Sequence, residues 1–302
     1  MQQGNLPLVS VIALNWNTTE LTCDFLRSIN ELGTYKNLEI IIVDNGSKEN
    51  PTAALMAVNP DVKVILTGKN LGFAGGNNVG IKAAKGDYLF IVNNDTEFTP
   101  GLIESLLEPF STDPTVGVVC PKIRFFYNRN VIQYAGFNPI SVYTGRTTAI
   151  GSLEEDKGQH DTPRYTEGAH GCAMLVKRAV IEKTGMFPEK FFLYYEEWDW
   201  SLRIIRAGYN IFYQPKALIY HKESMTVGKQ NPLKTYYHTR NRILFMRRNM
   251  SGFHFSIFIC FFTLFTVPKS ILKYLFTRQF THLRYFLKGI SYNLTTSKYS
   301  LV

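Results

Sequence analysis

Beyond Glu223 the sequence holds no acidic residue, although twelve Lys and Arg follow it, from Lys229 to Lys298. Residues 1 to 223 are close to neutral, with 21 basic and 24 acidic groups, so the overall charge of +9 belongs to the end of the chain. Cysteine is scarce as well: Cys23, Cys120, Cys172 and Cys260 lie far apart, with no C-x-x-C pair. That excludes a zinc knuckle and a disulfide framework and agrees with a reducing compartment. The first residues, Met1 to Pro7, have no basic segment followed by an apolar one, so no secretion signal is expected. A Gly-Lys-Ser/Thr phosphate loop is missing, as is G-x-G-x-x-G directly after a strand, which sets aside P-loop and dinucleotide-binding classes. Internal repeats and low-complexity runs are also absent.

What is present suffices for one large or two modest domains: 302 residues, 45% hydrophobic and 14% aromatic. Val9 to Leu14, Leu38 to Val43, Val62 to Leu66 and Tyr88 to Val92 are short apolar runs without helical spacing, which predicts strands buried on both faces. Between them Thr18 to Leu32 places Leu21, Phe25, Ile29 and Leu32 on one helical face, Pro51 to Val58 fits a second helix, and a third ends near Lys85. Strands alternating with helices in this way argue for a parallel sheet with right-handed crossovers. Gly101 to Thr112 reads as a helix and Val116 to Val119 as a strand. Residues 121 to 168 are irregular and rich in aromatics, suited to wall an acceptor pocket. Later come a short helix, Arg178 to Thr184, and two short strands, Asn210 to Gln214 and Ala217 to Tyr220.

Polar clusters recur where strands stop: Asn15-Trp16-Asn17, Asp44-Asn45-Gly46-Ser47, and Asn93-Asn94-Asp95-Thr96-Glu97. The last group cannot be satisfied inside a core and belongs in a crevice at the carboxyl end of the sheet, where open α/β sheets bind ligands. Hard oxygen ligands there suit Mg²⁺ or Mn²⁺ seated on a diphosphate, and an ordinary Asn/Asp turn is the plainer reading. In Asn70 to Gly80, Gly72, Gly75 and Gly76 let backbone approach a ligand while Asn77 and Asn78 offer amide donors; a turn leading into a helix is the alternative. Gly168-Ala169-His170-Gly171-Cys172 reads as a loop entering a strand. Glu196, Glu197 and Asp199 crowd three carboxylates into four positions among aromatics and Trp198. A carboxylate held partly out of water has a raised pKa and can act as a general base; acids favoured by a helix dipole explain the cluster equally simply. His221, just past a strand end, is either a metal ligand or a structural histidine.

The end of the chain has its own character. Tyr236 to Arg248 leads into a greasy run, Phe253 to Val267, with Pro268 next. Fifteen helical residues span only about 22 Å, short of the roughly 30 Å hydrocarbon core. Basic residues spaced among aromatics from Lys269 to Lys288 therefore predict amphipathic helices lying in an anionic membrane surface, with a helical hairpin packed on the body as the alternative. Nucleic acid is not the expected partner, since the run is too apolar and carries no recognisable nucleic-acid motif.

Together, Asp44 in Ile-Ile-Val-Asp-Asn-Gly-Ser, the Asn70 to Gly80 segment, Asn93-Asn94-Asp95, Glu196-Glu197-Trp198-Asp199 and His221 resemble the inverting glycosyltransferases of family 2, in the rhamnosyltransferase-like branch, from about Val9 to Arg248. The resemblance implies an α/β GT-A fold, a Rossmann-like mostly parallel sheet with helices on both faces, followed by a C-terminal helical membrane-associated tail. Residues 1–230 would form the catalytic domain, with a nucleotide-sugar half at about 1–120 and an acceptor half at about 121–230, and 231–302 the basic tail. It implies that Asp44 holds the nucleoside base and that Asn70 to Asn77, with Phe73, lines the nucleotide sugar. Asn15, Asn17, Asn93, Asn94, His170, Gly171 and Trp198 would complete the substrate site. Asp95 would ligate Mn²⁺ or Mg²⁺ with His221 as second ligand, Asn93 standing where the family's D-x-D has its first aspartate. Glu197 would be the base, with Asp199 and Glu196 as competitors. The donor is dTDP-rhamnose or a UDP-hexose, the acceptor a lipid-linked or cell-surface glycan, and the location the cytoplasmic face of the membrane. A catalytically silent sugar-nucleotide or glycan-binding protein and a nucleotidyltransferase are the rival classes. The residues do not encode an oligomeric state legibly, a homo-oligomer included.

Overall fold

The apolar runs become the centre of one ten-stranded sheet. In the computed structural model, which describes residues 6–222 and 231–299, β1 (Val9–Asn15), α1 (Thr19–Leu32), β2 (Leu38–Asp44), α2 (Thr52–Val58), β3 (Lys63–Leu66), α3 (Gly72–Ala83) and β4 (Tyr88–Val92) alternate along the chain. β5 (Thr96–Glu97), α4 (Leu102–Thr112), β6 (Val116–Phe125), β7 (Ile132–Tyr134), β8 (Arg164–Tyr165), β9 (Ala173–Lys177) and α5 (Arg178–Thr184) follow, then α6 (Glu196–Arg206) and β10 (Asn210–His221). The strand order is β3-β2-β1-β4-β9-β6-β10-β5, with β7 beside β6 and β8 beside β10. The first four strands are parallel. The sheet is mixed beyond them, because β9 runs against both β4 and β6. Val11, Ile12, Ile41, Ile42, Leu89 and Phe90 are fully buried, as the continuous apolar runs require.

One boundary differs from the sequence expectation. The strands expected at 210–214 and 217–220 are one, β10, which pairs in parallel with β6 on both sides of an irregularity between Gln214 and Leu218. A bulge absorbs the extra residues while the ladder continues. The irregular stretch after 121 is tied to the sheet by charge: Lys122, 2% exposed, meets Asp156 at 2.9 Å and also Asp161, and Arg124 Nε donates to Asp156 at 2.7 Å. Burial disfavours the Asp156 charge, but hydrogen bonds from Lys122, Gly158 and Arg124 outweigh it and pull its pKa down to about 2.

After the expected boundary at 230, which lies outside the described residues, the chain is helical: α7 (Pro232–Asn249), α8 (Gly252–Phe261), a π turn (Phe262–Thr266), α9 (Val267–Phe276) and α10 (Phe280–Thr295). Asn231 caps α7 by accepting from the Leu233 amide. α7 buries Ile243 to Met246 against Phe191 and Trp198 of the body and against Phe258, Phe262 and Phe286 of the other helices. The greasy run does not stop at Pro268. Gly252–Phe276 is one helix of 25 residues with mean hydropathy 1.8, long and apolar enough to cross a membrane by length and composition. Pro268 lies inside this continuous helix, directly after the π turn Phe262–Thr266, where the ladder already departs from regular α-helical bonding. Phe253, Leu264, Phe265 and Phe276 are all more than half exposed on it.

Candidate active site

Because β1, β2 and β4 are parallel, their carboxyl ends meet on one edge, and a chain of buried polar side chains ties them together. Asn15 Nδ2 donates to Asp44 Oδ1 at 2.8 Å, Thr22 Oγ1 donates to Asn15 Oδ1 at 2.8 Å, and Asn94 Nδ2 donates to Thr22 Oγ1 at 2.7 Å. Asn15 is fully buried and Asn94 is 8% exposed, and through these bonds both tie the strand ends together. Asp44 also accepts from the Ser47 amide and hydroxyl. A carboxylate has about four acceptor sites, which leaves one for a ligand. Asn17 is exposed with φ +54, its amide donating to Ser47 Oγ at 2.8 Å.

The glycine-rich segment is a helix start and not a loop. α3 begins at Gly72, whose φ is +72 and where a Cβ would lie 2.3 Å from the Phe192 carbonyl, so only glycine fits. Asn45 docks this start on β2, accepting from Leu71 N and donating to Gly72 O, and Asn70 accepts from Gly72 N. The amides expected to meet a ligand are spent within the protein: Asn77 Nδ2 donates to Phe73 O at 2.9 Å, and Asn78 Nδ2 donates to Phe187 O and to Glu189. Gly76 packs against Leu14 and Asn45, and Gly75 against Leu71.

Past β4, Asn93 donates its backbone N–H to Cys172 O, and its half-buried side chain makes no hydrogen bond among the described residues. Asp95 and His221, 6% and 7% exposed, face each other with Oδ1 and Nε2 3.1 Å apart. The two groups pair with each other across that gap. β10 carries His221 there by pairing with Thr96, and Lys222 N donates to Asp95 O. His221 Nδ1 lies 2.8 Å from Gln133 Oε1, an acceptor only, which puts one ring proton on Nδ1; Nε2 holds the second proton while it faces Asp95, and would offer its lone pair only to a cation that displaces that proton. Burial opposes charge on His221, but Cys172 and Asp95 outweigh it and raise its pKa well above the ordinary value. A carboxylate oxygen and an imidazole nitrogen facing each other on a buried edge are of the donor types that suit a divalent cation. No group of three or more His, Cys, Asp or Glu gathers as ligands among the described residues, so a cation here would draw its remaining ligands from a diphosphate and water. Burial and His221 push the neighbouring His170 down to about 3. It is therefore a neutral ring, stacked on Phe137 at 5.5 Å.

The three carboxylates of α6 separate by environment. Asp199, 1% exposed, is bound by Arg248 Nε and Asn249 Nδ2, each at 2.9 Å, and by Arg203 Nε at 3.3 Å, which removes it as a base. Glu196, 3% exposed, is raised well above the ordinary carboxyl range by burial and by the Glu197 charge, so it stays protonated and does not line the cavity beside its neighbour. Glu197 does line that cavity, about 520 Å³ between the body and the C-terminal helices, and burial raises its pKa to about 7. A Cβ on Gly171 would lie 3.8 Å from the Phe73 ring and 3.9 Å from Glu197 Cγ, so Gly171 sits between the start of α3 and Glu197. Trp198 packs on Phe137 at 4.9 Å, joining this carboxylate to the His170 stack.

The segment that aims Glu197 is strained: Phe192, Tyr194 and Tyr195 all have positive φ, near +64 to +73. Two residues absent from the sequence reading hold it. Asn241, fully buried on α7, donates to the carbonyls of Phe191, Leu193 and Tyr194 at 2.7 to 2.8 Å, and Arg240 donates to those of Lys190 and Phe191. The signal was the polar triplet Arg240-Asn241-Arg242 directly ahead of an apolar run, too hydrophilic for a membrane-facing turn.

Comparison with known proteins shows the family and the fold. Residues 10–185 match the family model described as glycosyl transferase family 2. The chain is 24% identical over 265 residues to the N-acetylglucosaminyl-diphospho-decaprenol L-rhamnosyltransferase of Mycobacterium tuberculosis, covering 81% of this chain and 86% of that one. To the low-salt glycan biosynthesis hexosyltransferase of Haloferax volcanii it is 26% identical over 250 residues, 81% of this chain and 77% of the relative. In fold it resembles the mannosyltransferase of Pyrobaculum calidifontis solved with GDP-Man and Mn²⁺, at a TM-score of 0.60 and 16% identity over 96% of this chain and 87% of that one.

Proposed function

The chain belongs to glycosyl transferase family 2, and from that premise we propose that it is an inverting transferase moving a sugar from a nucleoside diphosphate to a hydroxyl of a lipid-linked or cell-surface glycan. The main support is the buried carboxylate and imidazole of Asp95 and His221, 3.1 Å apart on the edge that also carries Asp44. Asp95 and His221 would hold Mn²⁺ or Mg²⁺, which when bound neutralises charge on the departing diphosphate. Asn93 presents an uncommitted amide beside them, and Asp44 keeps an acceptor site for the nucleoside base. Phe73 and Gly171 form the passage from that edge to Glu197. Glu197, its pKa near 7, takes the proton of the acceptor hydroxyl as that oxygen bonds to the anomeric carbon and the bond from the carbon to the diphosphate breaks. Attack from the face opposite the leaving group inverts configuration.

The Mycobacterium relative's name favours rhamnose as the sugar moved; dTDP-rhamnose is then the donor proposed, with UDP-hexoses as the other candidates. Residues 1–230 carry the donor edge and the base in this reading, and α7 beyond them holds the base in place. The 25-residue apolar helix and the basic excess past Glu223 support a place for 231–302 at the anionic cytoplasmic face of a membrane. Incubation with dTDP-rhamnose and UDP-hexoses plus Mn²⁺ and a membrane glycolipid extract tests it. Nucleoside diphosphate is expected from one donor, and pyrophosphate in its place, or no product from any, would refute the reading. A thermal shift identifies the donor, since a ligand at 100 times its Kd adds about 2.7 kcal/mol.

A further inference from the structure

The cavity beside Glu197 carries a charge that sugar transfer alone leaves unexplained. Arg146, Lys234 and Arg242 line it, and none makes an ion pair among the described residues. Arg242 is the informative one. It is 4% exposed, its guanidinium makes no hydrogen bond, its Nε is buried without a partner, and it lies 4.8 Å over the Phe262 ring. Burial and the nearby Arg146 pull its pKa down to about 10, so it keeps its proton at neutral pH. Glu197 is the acidic side chain on the same wall, leaving three cations to one carboxylate. A buried, unpaired guanidinium is costly, and the cost is recovered when an anion arrives from outside.

The walls also say what kind of anion. Ser270 and Tyr274 reach the cavity from α9. α9 is the second half of the 25-residue apolar helix, and its Leu272, Leu275 and Phe276 are exposed. A ligand with its charge in the cavity thus has an apolar track within reach. Asp95 and His221 do not line this space, so the donor's diphosphate has its own place elsewhere.

We infer that the cavity is a phosphate subsite for the acceptor, which is a lipid carrying its glycan through a phosphate or diphosphate. The phosphate oxygens meet Arg146, Lys234 and Arg242, the chain runs along α8 and α9, and the first sugar hydroxyl reaches Glu197. The inference rests on Glu197 being the base of the proposed transfer.

Calorimetry on the full chain, without metal, using farnesyl diphosphate as the probe, tests it. The parent should bind farnesyl diphosphate and ignore farnesol. Arg146→Ser, at an exposed position, and Lys234→Gln should each weaken binding about tenfold or more while keeping the parent's melting temperature. UDP or dTDP with Mn²⁺ should bind alongside the probe. Equal affinity in both variants, equal binding of farnesol, or displacement of the probe by the nucleotide with loss of binding in Asp95→Ala would each overturn the subsite. A chain that binds the probe through Arg146 and Lys234 but releases no nucleoside diphosphate from any nucleotide sugar would support the subsite and refute the transfer.

Discussion

Glu197→Gln separates a base from a merely buried acid. Burial places the Glu197 pKa at about 7, far above an exposed carboxyl. The base works only when ionised, so kcat/KM should be level above about pH 8 and fall about tenfold for each pH unit below 7. Gln keeps the shape and loses the proton acceptor. Turnover should drop by roughly 10² to 10⁴, and the acid limb should disappear from what remains. Glu196→Gln is the paired control: that carboxyl is already protonated at neutral pH, so the limb near 7 should persist. The assay is initial-rate nucleoside diphosphate release from pH 5.5 to 9 at saturating donor, with donor affinity measured by calorimetry. A Glu197→Gln enzyme within threefold of the parent would refute the assignment, as would loss of the limb in Glu196→Gln with its survival in Glu197→Gln.

Asp95→Ala should abolish the Mn²⁺-dependent part of donor affinity, and identical calorimetric titrations with and without Mn²⁺ in parent and variant would count against it. Asn241→Leu removes the donors that hold three carbonyls of the Phe191 to Tyr194 segment; about 1 to 3 kcal/mol should be lost in urea unfolding, with a larger fall in kcat than in donor affinity. Asp156→Ala leaves the buried Lys122 with Asp161 alone and removes the acceptor of Arg124, and should cost about 1 to 3 kcal/mol by the same measurement. In the parent the Asp156 pKa lies below its ordinary 3.8, so its stabilisation is complete above that pH and fades toward about 2; Asp156→Asn should flatten that part of the stability curve.

The first four strands were legible because each is an uninterrupted run of β-branched and aromatic residues. The crevice was legible because amides and acids at strand ends have no other place to go. Sequence could not say which of these polar groups face inward. Asn77 and Asn15 look like ligand donors, but each is used within the fold, and only the backbone reveals its partner. Glycine at 72 suggests a loop until its positive φ proves to be the first residue of a helix. Asp199 could not be separated from Glu197 by spacing, since the groups that neutralise it, Arg248 and Asn249, lie some fifty positions away. Pro268 suggested a stop because proline is judged by its neighbours, and a preceding π turn is invisible in composition.

The clamp from α7 has a practical corollary for anyone who would trim this protein. Cutting at residue 230 to discard the greasy end looks like the obvious way to a well-behaved fragment. It would also discard Arg240 and Asn241, releasing the kinked stretch before α6 and swinging Glu197 out of aim. Solubility is better sought with detergent, which leaves the exposed apolar face of α8 and α9 as it is.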